Sequence, residues 1–280
     1  MHMKSEPIVI EPVRGWQLVN WRELRDYRDL FYFLVDRDIK VLYKQTVLGF
    51  GWAILRPVLS MVIFTVIFGG LARVDSDGMP YALFSYAALV PWLYFSTALS
   101  ASALSLVNNT DMLTKVYFPR LIFPLTPVFS KLVDFVISFA VVFVLMAWFH
   151  VAPTARMLYL PLLILLMMLA TAGISLWFAA MSVHYRDVKH AMPFVTQILM
   201  YAAPVVWSAA LIEERFGQAG RLVFGLYPMV GVIEGFRVAL LDTGPMPWDM
   251  LAVGTASALL LFVTGLFYFR RMEVNFADVA

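Results

Sequence analysis

The sequence predicts an all-α membrane protein: six transmembrane helices, an N-terminal interfacial amphipathic helix, and a re-entrant external region between the fifth and sixth spans. Three observations lead there. Of 280 residues, 61% are hydrophobic and 14% charged, against roughly 45–50% and about 25% in soluble domains. One soluble core of this size cannot hide so much apolar surface. The apolar residues fall in runs near the ~20 residues that cross a bilayer, and Lys and Arg gather in alternate connections.

Residues 1–21 read as a cytoplasmic tail, since Met1 to Asn20 hold no apolar stretch of the kind that makes a cleavable signal. Residues 22–48 read as an interfacial helix. Tyr27, Leu30, Phe31, Leu34 and Val35 recur at helical spacing, with Arg25, Asp26, Asp29 and Arg37 on other faces. The membrane domain, 49–270, holds spans at 51–72, 81–104, 121–149, 157–181, 191–211 and 250–269, before a cytoplasmic tail at 271–280. The stretch 222–241 is also apolar, but Pro228 interrupts it and Glu234 and Arg237 are costly in lipid. It reads as a re-entrant or membrane-surface helix, tolerated where protein or water surrounds it.

Charge sets the orientation. With these spans, Lys4, Arg14, Arg22, Arg25, Arg28, Arg37, Lys40, Lys44, Arg56, Lys115, Arg120, Arg186, Lys189, Arg270 and Arg271 lie on one side. Only Arg73, Arg156, Arg215, Arg221 and Arg237 lie on the other. Both termini are therefore expected in the cytoplasm. A net charge of +2 is too small to point to nucleic acid.

The sequence has no cysteine, no G-x-x-x-x-G-K-[ST] phosphate loop and no H-E-x-x-H or other cluster of metal ligands. No cofactor, metal site or catalytic residue is expected, so uphill transport requires a partner or an ion gradient. For a gradient, Lys131 and Asp134 share a helical face; the plainer reading of the two is a mutually neutralised structural pair near the cytoplasmic end of the third span. Arg37, Lys40 and Lys44, at i, i+3 and i+7, suit either a phosphate or pyrophosphate or anionic lipid heads. Arg56 can reach the same level from the first span. Tyr43, Trp52, Trp92, Tyr201 and Trp207 are either interfacial anchors or platforms for sugar rings. Two cytoplasmic connections, one carrying Asn109, Thr110, Asp111 and Lys115 and the other Arg186 and Asp187, are docking loops or plain solvated links. Gly231-x-x-x-Gly235 permits close helix approach.

The run Arg37-Asp38-Ile39-Lys40-Val41-Leu42-Tyr43-Lys44-Gln45-Thr46-Val47-Leu48-Gly49, leading into Trp52-Ala53 and Arg56-Pro57, resembles the N-terminal signature of ABC-2 type permeases of the polysaccharide (O-antigen, lipopolysaccharide) export branch. Lys115-Val116-Tyr117-Phe118-Pro119-Arg120, Tyr185-Arg186-Asp187-Val188, Tyr227-Pro228-Met229 with Glu234-Gly235-Phe236-Arg237, and Tyr268-Phe269-Arg270-Arg271 with Phe276-Ala277-Asp278 extend it over residues 14 to 280. Arg56 departs from the glutamine more usual before that proline.

The resemblance implies a homodimeric permease in the bacterial inner membrane, with two copies of a separate nucleotide-binding subunit that holds ATP and Mg. It also implies a glycan substrate on undecaprenyl pyrophosphate. It makes residues 22–48 a gate helix whose Arg37, Lys40 and Lys44, with Arg56, meet the pyrophosphate. Asn109, Thr110, Asp111, Lys115, Arg186 and Asp187 become ATPase contacts, and Pro228, Glu234 and Arg237 shape the exit. The rival readings are an ABC-2 permease for a small amphiphile or drug, a gradient-driven carrier using Lys131 and Asp134, and a membrane enzyme on lipid-linked sugars. The last lacks a convergent carboxylate or histidine site.

Overall fold

The computed structural model describes residues 21–44, 48–110, 112 and 118–273, and every described element is helical. Asp111, Lys115, the first twenty residues and the last seven, with the motif positions among them, lie outside the described residues.

Helices α1 (Trp21–Asp26) and α2 (Arg28–Tyr43) precede the membrane part. Leu34 of α2 is fully buried against Ile122, Phe123 and Phe269, with Leu30 and Phe31 half-buried beside it. The opposite face is not wholly polar, because Tyr32, Phe33 and Val41 are exposed.

Helix α3 (Gly51–Phe64) runs on as a π-helical segment, Thr65–Leu71. Helix α4 (Tyr81–Ala103) is buried along most of its length, through Leu83, Phe84, Tyr86, Leu89, Trp92, Phe95 and Leu99. The third expected span is helices α5 (Ile122–Ser130) and α6 (Leu132–Trp148), interrupted at Lys131. Helix α7 (Leu160–His184) follows a 3-10 turn, Ala155–Tyr159. It packs closely on α11 (Trp248–Glu273): a Cβ on Gly173 would lie 2.8 Å from the Phe262 nitrogen, and one on Gly265 would lie 2.8 Å from the Gly173 carbonyl oxygen.

The fifth expected span, 191–211, is shorter than its apolar run. Helix α8 (Asp187–Ala202) ends at Ala203, whose extended backbone (φ −91°, ψ 146°) is the conformation imposed on a residue before proline, here Pro204. Sixteen residues extend about 24 Å, less than the ~30 Å hydrocarbon core. Helices α9 (Ala210–Gly225) and α10 (Pro228–Leu241) then meet at 110°. Among the described residues, five segments are long and apolar enough to cross a membrane: Gly51–Leu71, Tyr81–Ala103, Ile122–Trp148, Ala155–His184 and Trp248–Glu273. The bent pair makes a sixth if it counts as one span.

Helix α10 is buried from Pro228 to Leu241 apart from Glu234, and packs among α4, α7 and α11. The two glycines divide their work there. Gly231 lets the Met250 backbone of α11 approach to 3.1 Å from a notional Cβ, and Gly235 admits the Leu163 side chain of α7.

Candidate functional site

Where α2 ends and α3 begins, a cavity of about 220 Å³ opens between α3, α4 and the junction of α5 with α6. Its polar wall is Tyr43, Arg56, Thr97, Lys131, Asp134 and Ser138; Trp52, Tyr94 and Phe135 supply aromatic wall. Proline builds part of it. Pro57 has no N–H for the Ala53 carbonyl one turn back, and the Ser138 hydroxyl donates to that carbonyl at 2.7 Å. The same hydroxyl lies 2.8 Å from the Asp134 carbonyl, which fixes α3 to α6. Tyr94 of α4 donates to the Val128 carbonyl at 2.7 Å, just before the interruption at Lys131.

The ionisable groups of the wall are connected. Lys131 Nζ stands 3.6 Å from Asp134 Oδ2. The Tyr43 hydroxyl donates to Asp134 Oδ1, and its ring stacks on Phe50 with centroids 3.9 Å apart. Burial, reinforced by the Asp134 carboxylate, pushes the Tyr43 phenol well above its ordinary pKa, so it stays a neutral donor. Arg56 carries its guanidinium 5.8 Å from the centre of the Trp52 ring. Two cations, one anion and aromatic faces in one opening suit a group with phosphate charge and a sugar beside it.

The three cations of the N-terminal motif do not converge. Arg37 turns inward: its Nη2 donates to Asp38 at 3.0 Å and to Asn109 Oδ1 at 3.2 Å, with Met112 sulfur 3.7 Å from Nη1. Asn109 in turn donates to the Ser105 carbonyl at 2.8 Å. Lys40 is exposed and pairs with Asp36 at 2.6 Å, and Lys44 is exposed at the end of α2. Thr110 caps its own turn through the Val107 carbonyl, and Arg186 and Asp187 are exposed where α8 begins. Of the aromatics, Trp52 and Tyr201 are exposed, Trp92 is buried beside Phe95, and Trp207 is half-buried near Phe224.

At the other end, Pro228 opens α10, where its missing N–H costs nothing. Arg237, fully buried, donates to the carbonyls of Val205 at 2.8 Å and Trp207 at 2.9 Å, stands 3.5 Å from Glu234, and lies over the Phe84 ring at 3.7 Å. Tyr81 donates to the Val206 carbonyl at 2.7 Å. The irregular backbone between α8 and α9 thus finds the donors that water would otherwise supply.

The ABC-2 type transporter family model matches residues 29–241, most of the chain. The chain belongs to the ABC-2 type transporter family. It is 29% identical to the O-antigen export system permease protein RfbA of Myxococcus xanthus, over 92% of this chain and 97% of that protein. It is 25% identical to a Klebsiella pneumoniae protein of the same name, over 90% and 95%. To the polysialic acid transport protein KpsM of Escherichia coli it is 23% identical, over 73% and 78%. Membership makes this ABC-2 chain a membrane transport subunit and implies a partner ATPase.

Sequence reasoning missed three parts of the site. Ser138 is an ordinary serine in an apolar run; Pro57 marks the Ala53 carbonyl as needing a donor, but the donor itself lies 85 positions away. Tyr81, and the attachment of Arg37 to Asn109, join residues 125 and 72 positions apart, where periodicity gives no signal.

Proposed function

We propose that this chain is the permease of an ATP-driven exporter that moves a polysaccharide linked to a polyprenyl (undecaprenyl) pyrophosphate across the inner membrane. The observation that carries the reading is the cavity walled by Arg56, Lys131, Asp134, Tyr43 and Trp52. It offers cations for a pyrophosphate and flat apolar faces for the first sugar, and relatives over nearly the whole chain are named for O-antigen export. Lys40 and Lys44 hold the approach along α2, and Arg56 and Lys131 make the closer contacts. A cavity of about 220 Å³ accepts a headgroup but no polymer, so the glycan travels between two copies of the chain, past the exposed Trp52 and Tyr201. Trp92 and Trp207 serve packing.

Six crossings complete this reading, with short α8 as the fifth and the bent pair α9–α10 re-entering from the outside. Both termini are then cytoplasmic. The turn bearing Asn109 and Thr110, with Asp111 and Lys115, seats on the ATPase, and Arg186–Asp187 is a second contact. Arg37 then ties that turn to α2, so a displacement set by nucleotide reaches the gate by differential affinity for its two positions. Pro228, Glu234 and Arg237 shape the exit by fixing the fold of the broken segment. ATP and Mg stay on the partner.

The test replaces Arg56 by Gln, and Lys131 and Asp134 together by Gln and Asn so that no unpaired charge remains. Surface glycan is measured at equal membrane abundance. The reading expects roughly a tenfold loss or more, the scale of one charge-assisted contact; unchanged glycan in both variants overturns the role of the cavity.

A further inference from the structure

Along the first turns of α2, at the other end of that helix from the polar cavity, a second opening of about 650 Å³ has a different chemistry. Its floor is apolar: Leu125 and Phe129 of α5, Met168 and Ala172 of α7, and Phe262 of α11. Phe31 of α2 closes one side, edge-on to Phe129 with ring centres 5.3 Å apart. The opening is also lined by Arg25, near the end of α1, and Arg28, the first residue of α2, so the two helices bring two guanidiniums to one rim. The neighbouring carboxylates, Asp26 and Asp29, do not line the opening, and Asp29 lies 3.6 Å from Arg28 in an exposed pair.

We propose that this groove is a binding site for a single anionic glycerophospholipid, with one acyl chain on the floor and its phosphate between Arg25 and Arg28. Charge complementarity and position carry the assignment. The groove opens at the end of the spans that bears the excess of Lys and Arg, where anionic headgroups are found. Its depth runs from that end into the spans, as an acyl chain does. Within a bilayer an apolar floor gains little from a hydrocarbon chain, because lipid tails are as apolar as leucine. Selectivity therefore sits on the two guanidiniums, and the site discriminates headgroup and not tail. Occupied, the lipid wedges α2 against α5 and α7 and stiffens the helix that also carries Arg37 and Tyr43.

The test purifies the full chain in nanodiscs of phosphatidylcholine with a minor fraction of phosphatidylglycerol and counts retained lipids by native mass spectrometry. The expected result is about one phosphatidylglycerol held per chain. Retention should fall roughly fivefold for each of Arg25→Gln and Arg28→Gln, the effect of one basic side chain at a charged surface, while retained phosphatidylcholine stays level. Met168→Trp, which fills the floor, should expel the lipid with both arginines intact. If that variant does not fold, the two exposed arginines still decide the matter. Equal retention in the arginine variants, or retention of phosphatidylcholine alone, overturns the site. So does displacement of the phospholipid by added polyprenyl pyrophosphate, or a cross-link from the floor to residues 1–20 or to a second copy.

Discussion

The Ala53 carbonyl accepts from Ser138 because Pro57 cannot donate, which makes a serine of α6 part of the first span's backbone. Ser138→Ala should cost about 1–2 kcal/mol in thermal unfolding of the detergent-solubilised protein. In a Pro57→Ala background the restored amide reaches the same carbonyl, and the cost of Ser138→Ala should shrink by about 1 kcal/mol. Equal costs in both backgrounds would show that the hydroxyl has another task. Arg237 is a stronger case, because it satisfies two carbonyls and sits on Phe84 while wholly buried. Arg237→Met strands both carbonyls and Glu234, and should lose about 3 kcal/mol or more. Lysine should not rescue it, since one ammonium cannot fork to both. Tyr43 holds α2 to α6 as a neutral phenol. With its folded pKa raised above the ordinary ~10, that tie is intact below pH ~10 and is lost as the pH climbs through the raised value.

At the level of elements, α7 and α11 are held together by what their glycines lack. Gly173→Ala places a methyl 2.8 Å from the Phe262 backbone, so the helices must part, at a cost of about 1–3 kcal/mol seen as a lowered unfolding temperature. The join between α2 and the Asn109 turn has a functional readout instead. Asn109→Ala should leave ATP hydrolysis by the assembled complex near normal while glycan exported per ATP falls roughly twofold or more, the ~0.5–2 kcal/mol that intermediate residues contribute to coupling. Hydrolysis and export falling in step would remove Arg37 from transmission. Apolar runs alone located most elements: residues 51–72 and 81–104 are found as Gly51–Leu71 and Tyr81–Ala103. A run length is a property of neighbours in sequence, and the bilayer selects for it directly. The end of α8 was also legible, in Ala203-Pro204, but the hydropathy beyond it carried the expected span past its stop. Arg37 was not legible. Its spacing with Lys40 and Lys44 marks a shared face of α2, whereas its partner, Asn109, comes from a turn that folding brings alongside.

For the whole molecule, the position of the bent pair α9–α10 decides the topology. The chain has no native cysteine, so one introduced thiol reports one site. Gln218→Cys, exposed on α9, should react with an impermeant maleimide added to intact spheroplasts, and Arg186→Cys only after the membrane is opened. The reverse pattern would invert the protein. On the proposed function the chain forms a passage and an entrance site and draws its energy from the partner ATPase. Lys131 and Asp134, in the wall of an open cavity, are also where an ion-driven carrier would place its coupling site. Proteoliposomes holding this chain with and without its ATP-hydrolysing partner separate the two directly, by following translocation of a polyprenyl-pyrophosphate-linked glycan. Movement only with the partner and ATP, and indifferent to an imposed proton gradient, is the predicted result; movement driven by the gradient in vesicles that lack the partner would contradict it.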